Sequence, residues 1–215
     1  MAMRLAIFED HFALQFAPIS LMRPVFELLC GQFTSRERLL KSIPVDEWGV
    51  LIRPALTEVY AEQFADARIN DAIWLSEDST LLINARWLPS NDEICRLAEV
   101  SSDTVGVMGD SVAYLLLEPE EAALLTTDAW DNAIKKIAET RQAIKVEGVE
   151  LQHPWDLVNQ NRRQLLADFS LYQTSDQDTG DAKNLTIVGP PGLVKLSASA
   201  EIDPFVVLDT RHGPV

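Results

Sequence analysis

Residues 18–40 read PISLMRPVFELLCGQFTSRERLL. From Arg23 to Lys41 there are four basic residues (Arg23, Arg36, Arg38, Lys41) against two acidic ones (Glu27, Glu37), so this stretch is +2 in a chain of net charge −15. Thr34 or Ser35 can open a helix over residues 32–42. Arg36 and Arg38 then lie near a helix start, where unpaired N–H groups favour an anion. Their guanidinium forks suit bidentate contact with phosphate. The same residues also read as the solvated face of a surface helix, with Glu27 and Glu37 as ion-pair partners, and composition alone favours that second reading.

Outward from this stretch, strand and helix signals alternate. The apolar run at residues 3–8 ends at once in Glu9-Asp10, which makes it a first strand and not a signal peptide. A strand follows at 49–52 and a helix at 54–64, with Pro54 in its first turn. Two short apolar runs stand at 72–75 and 81–84. Residues 91–100 read as an amphipathic helix capped by Asn91, with Ile94, Leu97 and Ala98 on one face. Gly109-Asp110, between apolar runs at 104–108 and 111–117, marks a hairpin. Residues 118–143 read as mostly helical, in two pieces broken near 126–128. A last helix starts after His153-Pro154 and runs to about residue 172, with Trp155, Val158, Leu165, Leu166 and Phe169 inward. The alternation predicts a layered α/β fold over residues 1–172, Rossmann-like, on a mainly parallel sheet. Ligands in such sheets bind at the carboxyl ends of the strands. Those ends are residues 9–16, Arg53 and residues 84–86.

Residues 173–184 lack large apolar side chains until Leu185 and read as a linker. Beyond it, Leu196, Ile202 and Leu208 recur every six residues, with Pro214 in phase. Aliphatic hexapeptides predict a left-handed parallel β-helix over 185–215. It would stop mid-coil, which suggests a fragment of a longer chain or a vestigial solenoid.

Hydrophobic residues make up 47% and charged residues 24% of the chain, an ordinary globular balance. A net charge of −15 repels phosphate backbones, which argues against nucleic acid but leaves room for one phosphorylated ligand in a local basic pocket. No apolar stretch is long enough to span a bilayer. Cys30 and Cys95 lack metal-ligand spacing and read as small buried hydrophobes of a reducing compartment, so the chain is expected to be cytoplasmic.

The order of residues within 18–40 resembles the N-terminal signature of sugar-1-phosphate nucleotidyltransferases. Pro18-Ile19-Ser20, Arg23-Pro24, Leu28, Gly31 and Glu37-Arg38 stand at positions matching that signature. The family's catalytic lysine falls on Val25, and its glycine-rich phosphate loop falls within residues 9–16, EDHFALQF, which hold no glycine. A second match lies at residues 81–89, LLINARWLP: Asn84 matches the asparagine of an Asn-Gly-Asp turn. Arg86 occupies the place of the aspartate that binds Mg²⁺, and a cation there cannot ligate a metal. The third match is residues 153–161, HPWDLVNQN, where Pro154, Trp155, Asp156, Leu157 and Asn161 resemble a closing Pro-Trp-Asp-Leu motif. The upstream metal aspartate of that motif meets residues 150–152, where a displaced Glu150 is the one carboxylate. A divergent bacterial branch of sugar-nucleotidyltransferase-like proteins is closer still. It shares the Ser/Thr-x-x-Arg-Pro-x-x-Glu-Leu form at residues 20–28 and Thr-x-Arg-Glu at residues 34–37.

The resemblance implies attack of a sugar-1-phosphate on a nucleoside triphosphate with release of pyrophosphate, a reaction of positioning and charge stabilisation. Arg23 and Glu27 would then stand at the chemistry, and Arg36, Arg38, Asn84, Arg86 and Asp156 would hold substrate, with Mg²⁺ as the family's cofactor. The alternative is a catalytically degenerate nucleotide or nucleotide-sugar binding or regulatory module. A third reading is assembly, with the tail seeding a β-helix that makes a homotrimer if the chain continues. His11 reads as a general acid/base, a metal ligand or a plain loop residue, and Asp156 also reads as a helix cap.

Overall fold

The computed structural model describes residues 4–125, 130–171, 185–197 and 200–215. Its strands are β1 (Arg4–Phe8), β2 (Glu47–Leu51), β3 (Arg68–Ile69), β4 (Thr80–Asn84), β5 (Trp87–Pro89), β6 (Thr104–Met108), β7 (Ser111–Leu117), β8 (Gln142–Lys145), β9 (Gly148–Glu150), β10 (Thr186–Val188) and β11 (Val207–Asp209). The α-helices are α1 (Ser35–Ser42), α2 (Thr57–Gln63), α3 (Ala72–Leu75), α4 (Asn91–Arg96), α5 (Trp130–Glu139) and α6 (Pro154–Asp168). A seven-stranded sheet has the order β3-β2-β1-β4-β7-β6-β8. β3, β2, β1 and β4 run parallel, β7 pairs antiparallel with both β4 and β6, and β8 lies parallel to β6. The fold is therefore α/β on a mixed, mostly parallel sheet.

Alternate residues of the central strands feed two apolar layers, as the two-residue period requires. Leu5, Ile7, Val50, Leu81 and Ile83 face one core with Phe16, Phe26, Leu39 and Tyr60. Ala6, Phe8, Leu51, Leu82 and Leu115 face the other with Trp74, Trp130 and Ile134. α5 joins this second layer through Trp130, Ala133, Ile134 and Ile137, spaced three and four residues apart on one face. α1 starts at a reciprocal capping box: the Thr34 hydroxyl accepts from Glu37 N at 3.2 Å and Glu37 Oε2 accepts from Thr34 N at 2.9 Å. The Gly109-Asp110 turn joins β6 to β7 as the sequence predicts.

Several expectations change. The short apolar run at residues 72–75 forms a helical turn capped by Asp71. The cap of α4 is Ser90, one residue before Asn91, and Ala98 is exposed. Residues 142–145 pair as an edge strand instead of extending a helix; the expected break at 126–128 and the linker at 173–184 lie outside the described residues. Cys95 is exposed, while Cys30 is buried with Sγ 3.3 Å from the Leu157 carbonyl. α6 is turned relative to its apolar pattern: Trp155, Val158, Leu165 and Leu166 are exposed, and Leu157, Gln164 and Asp168 are buried. The reason is polar anchoring, since Asn161 and Asp168 bind the backbone at Gly31 and Gln32 and fix which face docks.

In the tail, β10 and β11 pair in parallel, twenty-one residues apart, an offset that is not a multiple of six. Leu208 lies in β11, whereas Leu196 and Ile202 belong to no strand. A three-sided coil is not seen among the described residues.

Candidate functional site

β1 and β4 end together, with Phe8 opposite Asn84. The chain emerging from β1 carries Glu9, Asp10 and His11, and that from β4 carries Ala85 and Arg86. Polar residues therefore converge at the carboxyl edge, where open α/β sheets hold ligands. A cleft of about 630 Å³ opens there, walled by His11, Phe12 and Gln15, by the Gly109–Ser111 turn, by Asp131 and Lys135 of α5, and by Glu150.

The floor of the cleft is a buried ion pair. Arg86 Nε donates to Asp10 Oδ1 at 2.8 Å and Nη2 to Asp10 Oδ2 at 2.6 Å. Nη1 donates to the Leu151 carbonyl at 2.8 Å, and Nη2 reaches Ser111 Oγ at 3.2 Å and Glu150 Oε1 at 3.0 Å. Asn84 donates to Asp10 Oδ2 at 3.1 Å and to the Val112 carbonyl at 2.9 Å, and its own carbonyl accepts from Arg86 N. The Phe12 ring covers the guanidinium, with its centroid 4.8 Å away. Burial by itself would raise the Asp10 carboxyl, but the hydrogen bonds and charge of Arg86, with help from Asn84 and His11, hold it below the usual carboxylate range. Arg86 is likewise held above its ordinary value: burial opposes its charge, and Asp10 and Glu150 outweigh burial.

One wall is a short polar chain. His11 Nδ1 lies 2.5 Å from Asp131 Oδ2, and Lys135 Nζ lies 3.2 Å from that same oxygen. These three residues also border a second cavity of about 500 Å³ with Glu9, Arg53, Trp130 and Asn132. Arg53 Nε donates to Glu9 Oε2 at 2.9 Å, and Glu9 Oε1 accepts from Val25 N at 2.9 Å. Thus Arg86, Lys135 and Arg53 each rest on a carboxylate. Four carboxylates (Asp10, Asp110, Asp131, Glu150) line the larger cavity against two cations (Arg86, Lys135). This arrangement can accept hydrogen bonds from hydroxyl or amide groups more readily than it can neutralise a polyphosphate.

A family model for sugar nucleotidyl transferases matches residues 5–177. The chain belongs to the sugar nucleotidyl transferase family. No curated protein matches it. Among solved structures, the fold is similar to that of a candidate glucose-1-phosphate thymidylyltransferase from Bacillus anthracis, solved with sucrose, at 9% identity and a TM-score of 0.53 over 77% of this chain and 96% of that one. It is also similar to UDP-glucose pyrophosphorylase from Acinetobacter baumannii, at 9% identity and a TM-score of 0.50 over 79% and 94% of the two chains.

The sugar nucleotidyl transferase fold distributes the sequence-predicted residues among several places. Asn84 and Arg86 meet in the cleft floor. Arg23 is exposed; its carbonyl accepts from Arg53 at 3.2 Å, and it lines with Glu27 a separate crevice of about 10 Å³. Glu27 accepts from Arg36 Nε at 2.5 Å and from the Tyr60 hydroxyl at 2.7 Å, and Arg36 packs over Trp48 and Phe64. Burial and the Glu27 charge push the Tyr60 phenol far above its ordinary value. Arg38, 2% exposed, clamps Asp168 through Nε and Nη2 at 2.7 and 2.9 Å and donates to the Cys30 carbonyl at 2.6 Å. Asp156 accepts from Gln152 N and His153 N at 2.9 and 2.8 Å, capping the first turn of α6. Ser111, Asp131 and Lys135 line the cleft without having been expected, and Asp10 lies in the 9–16 stretch expected at a strand's carboxyl end without having been singled out. Their available signals were an acid directly after a strand, and an acid–base pair four residues apart on an amphipathic helix.

Magnesium takes a near-octahedral shell of oxygens. Among the described residues no group of three or more His, Cys, Asp or Glu side chains could hold a metal. Asp10, the carboxylate in the floor, is already gripped by Arg86 through both oxygens. The residues present therefore do not fit Mg²⁺. No helix among the described residues is long and apolar enough to cross a membrane.

Proposed function

We propose that this member of the sugar nucleotidyl transferase family uses the cleft to bind a nucleotide or nucleotide sugar, and that it does so without metal-assisted nucleotidyl transfer. The observation that carries this reading is the buried Asp10–Arg86 pair, with Arg86 at the position to which the resemblance assigns the family's metal aspartate. Two further features support it. Val25, to which the resemblance assigns the lysine's position, is 1% exposed, and the turn at His11–Phe16 contains no glycine that would let a triphosphate approach the backbone.

Thermal unfolding with UTP, UDP-glucose or glucose-1-phosphate, in Mg²⁺ or in EDTA, tests the reading. At a hundredfold excess over Kd a ligand adds about 2.7 kcal/mol, a rise of about 5–10 °C for a chain of this size. The expected outcome is a rise that is the same in EDTA, with no pyrophosphate released. Pyrophosphate release that requires Mg²⁺ overturns it.

A second reading, assembly through residues 185–215, is favoured by the parallel stacking of β10 on β11, which Lys195 N to Val215 O and Val215 N to Leu193 O continue. Light scattering then gives a trimer mass, and a monomer at every concentration removes this reading.

A further inference from the structure

Beneath the Phe12 ring, the Arg86 guanidinium has oxygen acceptors only among the described residues: both oxygens of Asp10 at 2.6–3.0 Å, Glu150 Oε1 at 3.0 Å, Ser111 Oγ at 3.2 Å and the Leu151 carbonyl at 2.8 Å. Two carboxylates, a hydroxyl and a carbonyl are the donors that a hard divalent cation takes. These donors come from separate parts of the fold: the end of β1, the start of β7, and β9 with the residue after it. They are held in place by further bonds, since Ser111 Oγ donates to Glu150 Oε1 at 2.7 Å and Asn84 steadies Asp10. Asp10, Ser111 and Arg86 are all buried, so the carboxylates need a cation at this point.

We propose that Arg86 is a tethered substitute for a divalent cation, and that the oxygen cage around it is a latent metal site kept closed by the protein's own side chain. A guanidinium attached to the chain cannot be chelated or exchanged, so the charge at the base of the cleft is permanent. Removing the side chain beyond Cβ leaves Asp10, Glu150, Ser111 and the Leu151 carbonyl facing a vacated space with two uncompensated negative charges. That space offers oxygen donors to a hard cation of flexible coordination, such as Mn²⁺ or Ca²⁺. The proposal goes beyond the ligand-binding reading and does not depend on it: nucleotide binding can fail while the cage behaves as described.

The test is Mn²⁺ titration followed by electron paramagnetic resonance, with thermal unfolding in EDTA and in Mn²⁺, on wild type and Arg86→Ala. Wild type is expected to bind no Mn²⁺ in the cleft and to melt at the same temperature in both buffers. Arg86→Ala is expected to melt lower in EDTA, to recover with Mn²⁺, and to bind one ion with a Kd of about 10⁻⁴–10⁻³ M, the weak end for oxygen-ligand sites. Adding Glu150→Gln to Arg86→Ala abolishes the recovery. A buried arginine of purely structural use gives no such metal rescue. If Arg86→Ala does not fold in either buffer, Arg86→Gln, which keeps amide donors for Asp10, carries the same comparison. Two results overturn the proposal: a folded Arg86 variant that binds Mn²⁺ no better than wild type, or a wild-type protein with one bound Mn²⁺ that Glu150→Gln removes.

Discussion

Asp168→Ala is expected to destabilise the protein severely. The Asp168 carboxylate is fully buried and accepts from Arg38 Nε at 2.7 Å, Arg38 Nη2 at 2.9 Å and Gln32 N at 2.9 Å. Its removal strips the buried Arg38 guanidinium of its counter-charge. Among the described residues, only the Cys30 and Phe33 carbonyls then remain as Arg38 acceptors, and Arg38 Nη1 has no hydrogen-bond partner there even before the substitution. Breaking a buried pair from one side costs about 3–5 kcal/mol. Against a total stability of about 5–15 kcal/mol this is a large fraction, and it lowers Tm by about 6–20 °C. Urea unfolding followed by circular dichroism, with a thermal scan, measures both quantities. The control is Arg38→Met with Asp168→Leu, which removes both charges and fills the space. That double variant is expected within about 2 kcal/mol of wild type, because no lone charge is left behind. An Asp168→Ala protein within about 1 kcal/mol of wild type, or a double variant as weak as the single one, refutes the reasoning. Arg38 would then be free to serve as a ligand arginine.

Three further outcomes follow from the same contacts. The Asp10 carboxyl is held below its ordinary value, so its stabilising contribution is complete above about pH 4 and is lost as pH falls through the lower folded value; Asp10→Asn should therefore lose stability at pH 7 and show a flatter acid limb than wild type, and parallel limbs in pH-dependent urea titrations would contradict this. Gly31 has φ +85° and an added Cβ there would collide with the Asp168 carboxylate, so Gly31→Ala is expected to cost on the order of 2–4 kcal/mol by urea unfolding. Trp155→Ser with Val158→Ser, on the exposed face of α6, is expected to leave Tm unchanged within about 2 °C; a loss of the size seen for core truncations would place that face inward after all.

The sequence by itself determined where the central strands β1, β2, β4, β6 and β7 lie, but not the edge strand at residues 142–145, part of which it reads as helix. Alternating apolar runs, the helix start at Thr34 or Ser35 and the Gly109-Asp110 turn act over a few residues, so their signals survive without a structure. It also determined that Val25 and Arg86 stand where the family resemblance puts a lysine and a metal aspartate. What only the tertiary structure decided was which charges meet. Asp10 and Arg86 are 76 residues apart, His11 and Asp131 are 120 apart, and Arg38 and Asp168 are 130 apart. Periodicity reports that a face is apolar, but it carries no information about a distant counter-charge. The same limit explains α6, whose apolar stripe points outward because Asn161 and Asp168 are tied to the backbone at Gly31 and Gln32. Burying a charge is favourable only where its partner already waits, and sheet topology places that partner.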